Sequence, residues 1–294
     1  MEEFIKYFYN ICVVHVFNNE DKIVLMTKTK KYQLINFYKN PDELYKKYLI
    51  LKNNGVCCHD IILNKDGNIL TIYNNKNYLL LKVNINSKGI INEKDLINCN
   101  LIEKYEETMT TKNKWQIKND YYEEEISKIY RENEYIKESF DYYLGLGELA
   151  ISLLNYINFN NIKYYPQHNR LKYNEKLEDY FNPINIVIDS KVRDIALYIK
   201  SSFFKNAISF DKIKNILALA NLNNDEIILL IARLIYPDYY FDICEEILNE
   251  NYNGDKLKKC IKKNTSYEIF LKKIYNYLYK IYNIPKINFL STLY

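Results

Sequence analysis

The sequence predicts an α+β protein in which a small β-rich lobe precedes a larger helical one. Short runs of β-branched and aromatic residues, broken by Asn, Asp and Gly, dominate up to residue 91. From Asp120 onward, apolar residues instead recur at helical spacing over long stretches. The expected domains are therefore residues 1–91 and 92–294. Length and composition agree with a folded chain: 294 residues, 48% hydrophobic and 27% charged, rule out disordered and collagen-like classes. No apolar run is long enough to span a bilayer. Residue choice is skewed toward Tyr (31) and Lys, with six Gly, five Pro and only four Arg. AT-rich coding sequence produces such a bias by itself.

Taken in order, residues 2–10 place Phe4, Ile5, Phe8 and Tyr9 on one side of a short helix. Three β-rich runs follow, Cys12–Phe17, Lys22–Thr27 and Tyr32–Tyr38, the first two joined by a turn at Asn18-Asn19-Glu20-Asp21. Asn40-Pro41-Asp42 then opens a helix, because Asn caps well and proline suits the first helical position. Leu44, Tyr48 and Leu51 share its face, and Gly55 supplies the positive φ wanted after its last turn. His59–Asn64 and Asn68–Tyr73 read as a hairpin turning at Lys65-Asp66-Gly67, and Tyr78–Val83 as a further strand.

The helices expected after that span 120–137, 139–157, 192–206, 211–221, 224–235, 239–250 and 267–282. Asp120 and Glu123 suggest a capping box for the first, which carries Ile126, Ile129, Tyr130 and Ile136 at helical spacing. Leu144, Leu146, Leu149, Ala150, Leu153 and Leu154 make the second apolar over a wide arc, hence central. Gly145 and Gly147 inside it suggest close packing against another backbone. Between Asn158 and Asp189 the pattern is non-helical and closes on an apolar strand, Ile184–Ile188.

Charge and cysteine usage narrow the function. The net charge of +4 is spread along the chain, and the lysine runs at 28–31 and 258–263 are short, so a nucleic-acid partner is not expected. The six cysteines form no C-x-x-C pair and the three histidines are far apart, which suggests neither zinc nor a disulfide framework. Met1-Glu2-Glu3-Phe4 lacks the layout of a signal peptide, so a cytoplasmic location, or a structure assembled from the cytoplasm, is expected.

A two-lobed chain is expected to hold its ligand at the lobe junction. The informative stretch is Gln167–Lys200, which contains Arg170 and Arg193, two of the four arginines. In a lysine-rich chain an arginine suggests a task needing a planar fork of donors.

The order of lobes, the His168-Asn169-Arg170 loop, an apolar strand ending Ile188-Asp189 and a helix beginning Arg193-Asp194-Ile195-Ala196 resemble the aminoglycoside phosphotransferase branch of the protein-kinase-like superfamily. The helix Tyr142–Ile151, the His168-Asn169-Arg170 loop, and Arg193-Asp194-Ile195-Ala196 with Tyr198-Ile199-Lys200 are similar to spore coat proteins of the YutH type. Tyr32-Gln33-Leu34, the Lys65-Asp66-Gly67 turn and Tyr78-Leu79-Leu80-Leu81 resemble the CotS type. The resemblance implies a two-lobed kinase-like fold. If the chain were active, it implies ATP and magnesium as well.

Phosphoryl transfer is mainly positioning and charge neutralisation, so each part implied by the resemblance can be checked. The phosphate-covering turn should be glycine-rich, yet Asn18-Asn19-Glu20-Asp21 has no glycine and two carboxylates. The third strand should carry a lysine, but Leu34–Phe37 offers none; Lys31 and Lys39 flank it. The catalytic aspartate should stand two residues after the histidine, where this chain has Arg170, a group with no acceptor lone pair. Asn174 falls one residue short of the metal-binding asparagine's place, which Glu175 fills. Asp189 matches the metal-binding aspartate, a ligand only if magnesium is bound, and Asp194 matches a structural one.

His168 is expected to be an architectural residue bonded to backbone. Arg170 is expected to pair with Asp189 or Asp194, the alternative being an anionic ligand. Arg193 and Asp194 read as structural at a helix start, and Tyr164-Tyr165 and Tyr239-Tyr240 as packing rather than ligand stacking. These readings favour a catalytically degenerate, non-enzymatic kinase-like protein without a cofactor, acting through an unidentified protein partner or small molecule, with a spore coat role implied by the resemblance. The alternative is a phosphotransferase using ATP and magnesium around Asp189, with Glu175 or Asp179 as base.

Overall fold

The computed structural model describes residues 1–19, 22–84, 89–97, 99–103, 105, 109–129, 133–249 and 254–291. They form two compact units that interleave in sequence: Met1–Glu103 with Tyr164–Lys191, and Lys104–Lys163 with Val192–Tyr294. The first unit thus runs past the expected boundary at 91 and also takes in the segment holding His168 and Asp189. Backbone hydrogen bonds explain this, because His59 N donates to Phe181 O, Ile91 N to Glu175 O and Ile102 N to Tyr164 O, each at 2.9 Å.

In the first unit, α1 (Glu2–Tyr9) is followed by β1 (His15–Asn18), β2 (Lys22–Met26) and β3 (Lys31–Asn36), then α2 (Pro41–Asn53), β4 (Asp60–Ile62), β5 (Leu70–Tyr73), β6 (Lys76–Lys82) and the short α3 (Glu93–Ile97). The antiparallel sheet has the order β1-β2-β3-β6-β4, with β5 also on β6. Its side chains alternate between two cores. Leu25, Tyr32, Leu34 and Leu80 pack with Phe4, Ile5 and Tyr9 of α1, whereas Ile61, Leu79 and Leu81 on the opposite face pack with Phe37, just after β3, and with Leu44 of α2. Asn40 caps α2 by accepting from Asp42 N and Glu43 N, and Gly55 has φ +67° after it, as expected.

The hairpin expected at Lys65-Asp66-Gly67 is corrected. The turn exists, with Gly67 at φ +78° and Asn64 Oδ1 accepting from Asp66 N and Asn68 N. Its flanking strands do not pair with each other. β4 pairs with Leu80–Lys82 and β5 with Lys76–Leu79 of the same strand, so the turn is an excursion in one interrupted edge strand. The hairpin is instead β5–β6, turned by Asn74 and Asn75, both at positive φ. Glu20 and Asp21 of the expected first turn lie outside the described residues, as does Tyr130. The unit is completed by β7 (Tyr164–His168), α6 (Leu177–Tyr180) and β8 (Ile186–Ser190), β7 and β8 forming a two-stranded antiparallel pair.

The second unit contains α4 (Thr111–Ile129), α5 (Glu134–Leu153), α7 (Val192–Phe204), α8 (Phe210–Ala220), α9 (Asn224–Ile235), α10 (Asp238–Leu248), α11 (Gly254–Lys262), α12 (Asn264–Tyr279) and α13 (Asn288–Ser291). The first expected helix begins earlier than its sequence signal. Thr110 Oγ1 accepts from Asn113 N at its start, so Asp120 and Glu123 are mid-helix residues rather than a capping box. Asn133 caps α5. Gly147 of α5 lies against a side chain and not a backbone: a Cβ there would meet Asn119 Nδ2 at 2.6 Å, while Gly145 faces open space. α9, buried from Glu226 to Ile235, is the centre of the unit and is opened by an Asn223–Glu226 capping box.

Candidate functional site

The β7–β8 pair positions the residues singled out from the sequence in the first unit. Its register sets His168 opposite Ile186 and Tyr165 opposite Asp189. His168 is buried and ends β7; its ring stacks on Tyr180 at 4.1 Å, and its Nε2 lies 2.7 Å from Tyr180 O. A carbonyl can only accept, so Nε2 carries the proton. Asn169 N donates to Asn185 O (2.9 Å), and exposed Arg170 donates from Nη1 to Asn169 O (3.1 Å). Asp189 is half-buried, with Oδ1 accepting from Ser190 N at 2.7 Å. Arg193 and Asp194 fall in the second unit, in the first turn of α7, where Asp194 is fully buried.

Sequence reasoning missed a cluster of charges on the α2 face of the sheet. Register places Lys22 and Val24 of β2 on the same face as Gln33 and Lys31 of β3. Glu178 and Asp179, carried by α6, reach these residues. Lys31 Nζ pairs with Glu178 Oε2, Gln33 Nε2 donates to Glu178 Oε1, and Lys22 Nζ stands 2.7 Å from Asp179 Oδ1 and 3.7 Å from Glu178 Oε1. Beneath them His59 is fully buried, its Nε2 2.8 Å from Glu178 O and its Nδ1 3.4 Å from Asn84 N.

Electrostatics follow from that packing. Burial alone would raise the Glu178 carboxyl, but Lys31, Lys22 and Gln33 outweigh it and hold the group below its ordinary range. Burial lowers the His59 imidazole, only partly opposed by its bond to the Glu178 carbonyl. On α2, burial together with nearby Lys39 pushes the Lys47 amine down to about 8, and that amine donates to Ile186 O of β8 at 2.5 Å. The groups considered as relocated bases are both engaged: Asp179 with Lys22, and Glu175 Oε2 with Lys172 N at 3.2 Å. Among the described residues, no three His, Cys, Asp or Glu side chains are grouped to hold a metal ion.

In the second unit, Lys200 is buried and donates to Tyr236 O (2.8 Å) and Asp238 Oδ1 (2.6 Å). Tyr240 stacks on Tyr143 at 3.8 Å inside the core, the packing role expected of it.

A sheet followed by a helical part, with these segments in this order, is the protein-kinase-like fold, and solved structures bear this out. An aminoglycoside phosphotransferase from Alicyclobacillus acidocaldarius subsp. acidocaldarius DSM 446 matches with a TM-score of 0.61 at 10% identity, over 93% of this chain and 95% of its own. Choline kinase LicA from Streptococcus pneumoniae matches at 0.55 and 13% identity, over 90% and 96%. A spectinomycin phosphotransferase in complex with ADP and spectinomycin also gives 0.55, at 10% identity over 88% and 92%. At such identities the likeness concerns the fold alone. The chain belongs to the family described as "Spore coat putative kinase YutH", whose model matches residues 2–274. No curated protein matches the sequence. Among the described residues, no helix is long and apolar enough to cross a membrane.

Proposed function

We propose that the chain is a catalytically inactive kinase-like protein that serves the spore coat by binding or by structure, without ATP or magnesium. The observation that carries this reading is the capture of Lys22 and Lys31 by Glu178 and Asp179. Two lysines meet two carboxylates there, so the cluster offers a phosphate no net positive charge. The residues present do not fit a magnesium nucleotide. Arg170 stands in the place of the base and lacks an acceptor, and Asp189 is a single carboxylate with Oδ1 turned to Ser190 N. The family's description supports the coat assignment, and assembly from the cytoplasm is the route we infer.

The test is thermal unfolding of the purified chain with ATP and magnesium, alongside an assay for phosphoryl transfer. A ligand of the folded state must raise the midpoint; the expected result is no shift and no transfer. Turnover that Asp189→Ala abolishes would overturn the proposal. That outcome would establish the alternative, a phosphotransferase built on Asp189, which the retained position of this aspartate at the end of β8 favours.

A further inference from the structure

The second unit carries a basic, partly aromatic groove of about 960 Å³ between α8 and α12. Its rim bears Lys214 of α8, Lys272 and Lys273 of α12 and Lys280 just after that helix, with Phe210 and Tyr277 in its wall. Two of the lysines lie over these rings: Lys273 Nζ is 4.6 Å from the centre of Phe210, and Lys214 Nζ 5.1 Å from Phe210 and 6.0 Å from Tyr277. The one carboxylate in the lining, Glu268, accepts from Tyr142 OH at 2.7 Å. Such a groove suits an acidic segment with an apolar or aromatic component, since cations flank it and rings line it.

The chain presents a segment of that chemistry elsewhere. On α4, between Lys118 and Lys128, four acidic residues fall within six positions: Asp120, Glu123, Glu124 and Glu125. Asp120, Glu123 and Glu124 are exposed, and so are Tyr121 (47%) and Ile117 (55%). Ile117, Asp120, Tyr121 and Glu124 are spaced i, i+3, i+4, i+7, which aligns them in one outward stripe. This helix packs on α5 and α10, whereas α8 and α12 make the groove, so stripe and groove are different patches of one surface.

We propose that the α8–α12 groove is a docking surface for the acidic α4 stripe of a second copy of this chain. Because the two patches differ, the contact is heterologous: each copy offers a stripe to one neighbour and a groove to another. An interface of that kind propagates into rings or open polymers instead of closing as a two-fold dimer. The proposal does not depend on whether the kinase-like site is active.

Sedimentation velocity of the full chain over a concentration series, at low and high salt, tests it. The expected result is concentration-dependent association that weakens as salt screens the charges. Lys272→Glu with Lys273→Glu should weaken association by more than about tenfold, and so should Asp120→Lys with Glu124→Lys, since both place like charges together. An equimolar mixture of the two variants should recover association, because each reversed patch meets an opposite one on the other variant. These are surface substitutions, and the recovery on mixing also shows that both variants are folded. A wild-type chain that stays monomeric throughout overturns the proposal, as does association unchanged in the variants or not recovered on mixing. A monomer whose groove captures an acidic peptide of another sequence equally refutes a second copy as the occupant.

Discussion

Glu178 is the residue on which the first unit's charges converge. Its carboxylate receives Lys31, Lys22 and Gln33, while its backbone carbonyl receives the imidazole of His59. Both titrating groups bind fewer protons folded than unfolded: His59 is lowered by burial, and Glu178 is lowered by its cations against the opposing effect of burial. Stability therefore falls as pH falls. The His59 contribution is complete above its ordinary value of 6.5 and declines below it; the Glu178 contribution declines below 4.5. Glu178→Gln keeps a polar contact for Gln33 but leaves Lys31 without its carboxylate, whereas Lys22 keeps Asp179. It should cost about 1–3 kcal/mol at neutral pH. It should also flatten the acid limb below pH 4.5 while preserving the decline that starts near 6.5. Urea unfolding across pH measures both effects, and an acid limb identical to wild type would exclude Glu178 as its source. None of this was legible in the sequence. Lys31 and Glu178 are 147 positions apart, and periodicity reports which face a residue takes, not which distant charge meets it.

Elements were legible where their signals are local. The α2 helix carries its own cap, its proline and its terminal glycine, so Asn40, Pro41 and Gly55 fixed its limits before any packing was known. The β5–β6 hairpin was missed because its turn is Asn74-Asn75, without the glycine that usually marks positive φ. For α4, an acidic pair at Asp120 and Glu123 imitated a helix start, while the real one used Thr110. The α11 helix was overlooked because in Gly254–Lys262 only Leu257 and Cys260 face inward amid lysines. The paired glycines of α5 give the element its test. Gly145 is exposed, and a methyl group added there would meet nothing within 4 Å, so Gly145→Ala should stabilise by about 0.5–1 kcal/mol through the unfolded chain. Gly147→Ala drives a methyl into the Asn119 amide and should destabilise by about 1–3 kcal/mol. Asn119 is buried and neither atom of its amide has a hydrogen-bond partner among the described residues, so adding Asn119→Ala to Gly147→Ala should relieve the clash and recover much of that loss. Thermal unfolding of the three variants decides the matter; equal effects at the two glycines would refute close packing at Gly147.

At the scale of the molecule, the order of strands and helices was readable, but the grouping of segments was not. A single cut at residue 91 follows composition, whereas the compact units follow hydrogen bonds that join residues 59, 91 and 102 to the segment 164–191. That segment supplies Glu178 and Asp179 to Lys22 and Lys31, and Ile186 O to Lys47. A fragment ending at Glu103 therefore keeps both faces of its sheet core yet strands two lysines, a buried histidine and several backbone donors without partners. Each hydrogen bond exchanged for water costs about 0.5–1.5 kcal/mol, and a domain's whole margin is only about 5–15 kcal/mol. Residues 1–103 alone should then fail to unfold cooperatively in urea, while the same fragment joined through a short flexible linker to 164–191 should regain a cooperative transition. A sharp transition in the fragment alone would mean that the sheet and its two helices suffice, and that the Glu178 segment is held by the unit without helping to hold it.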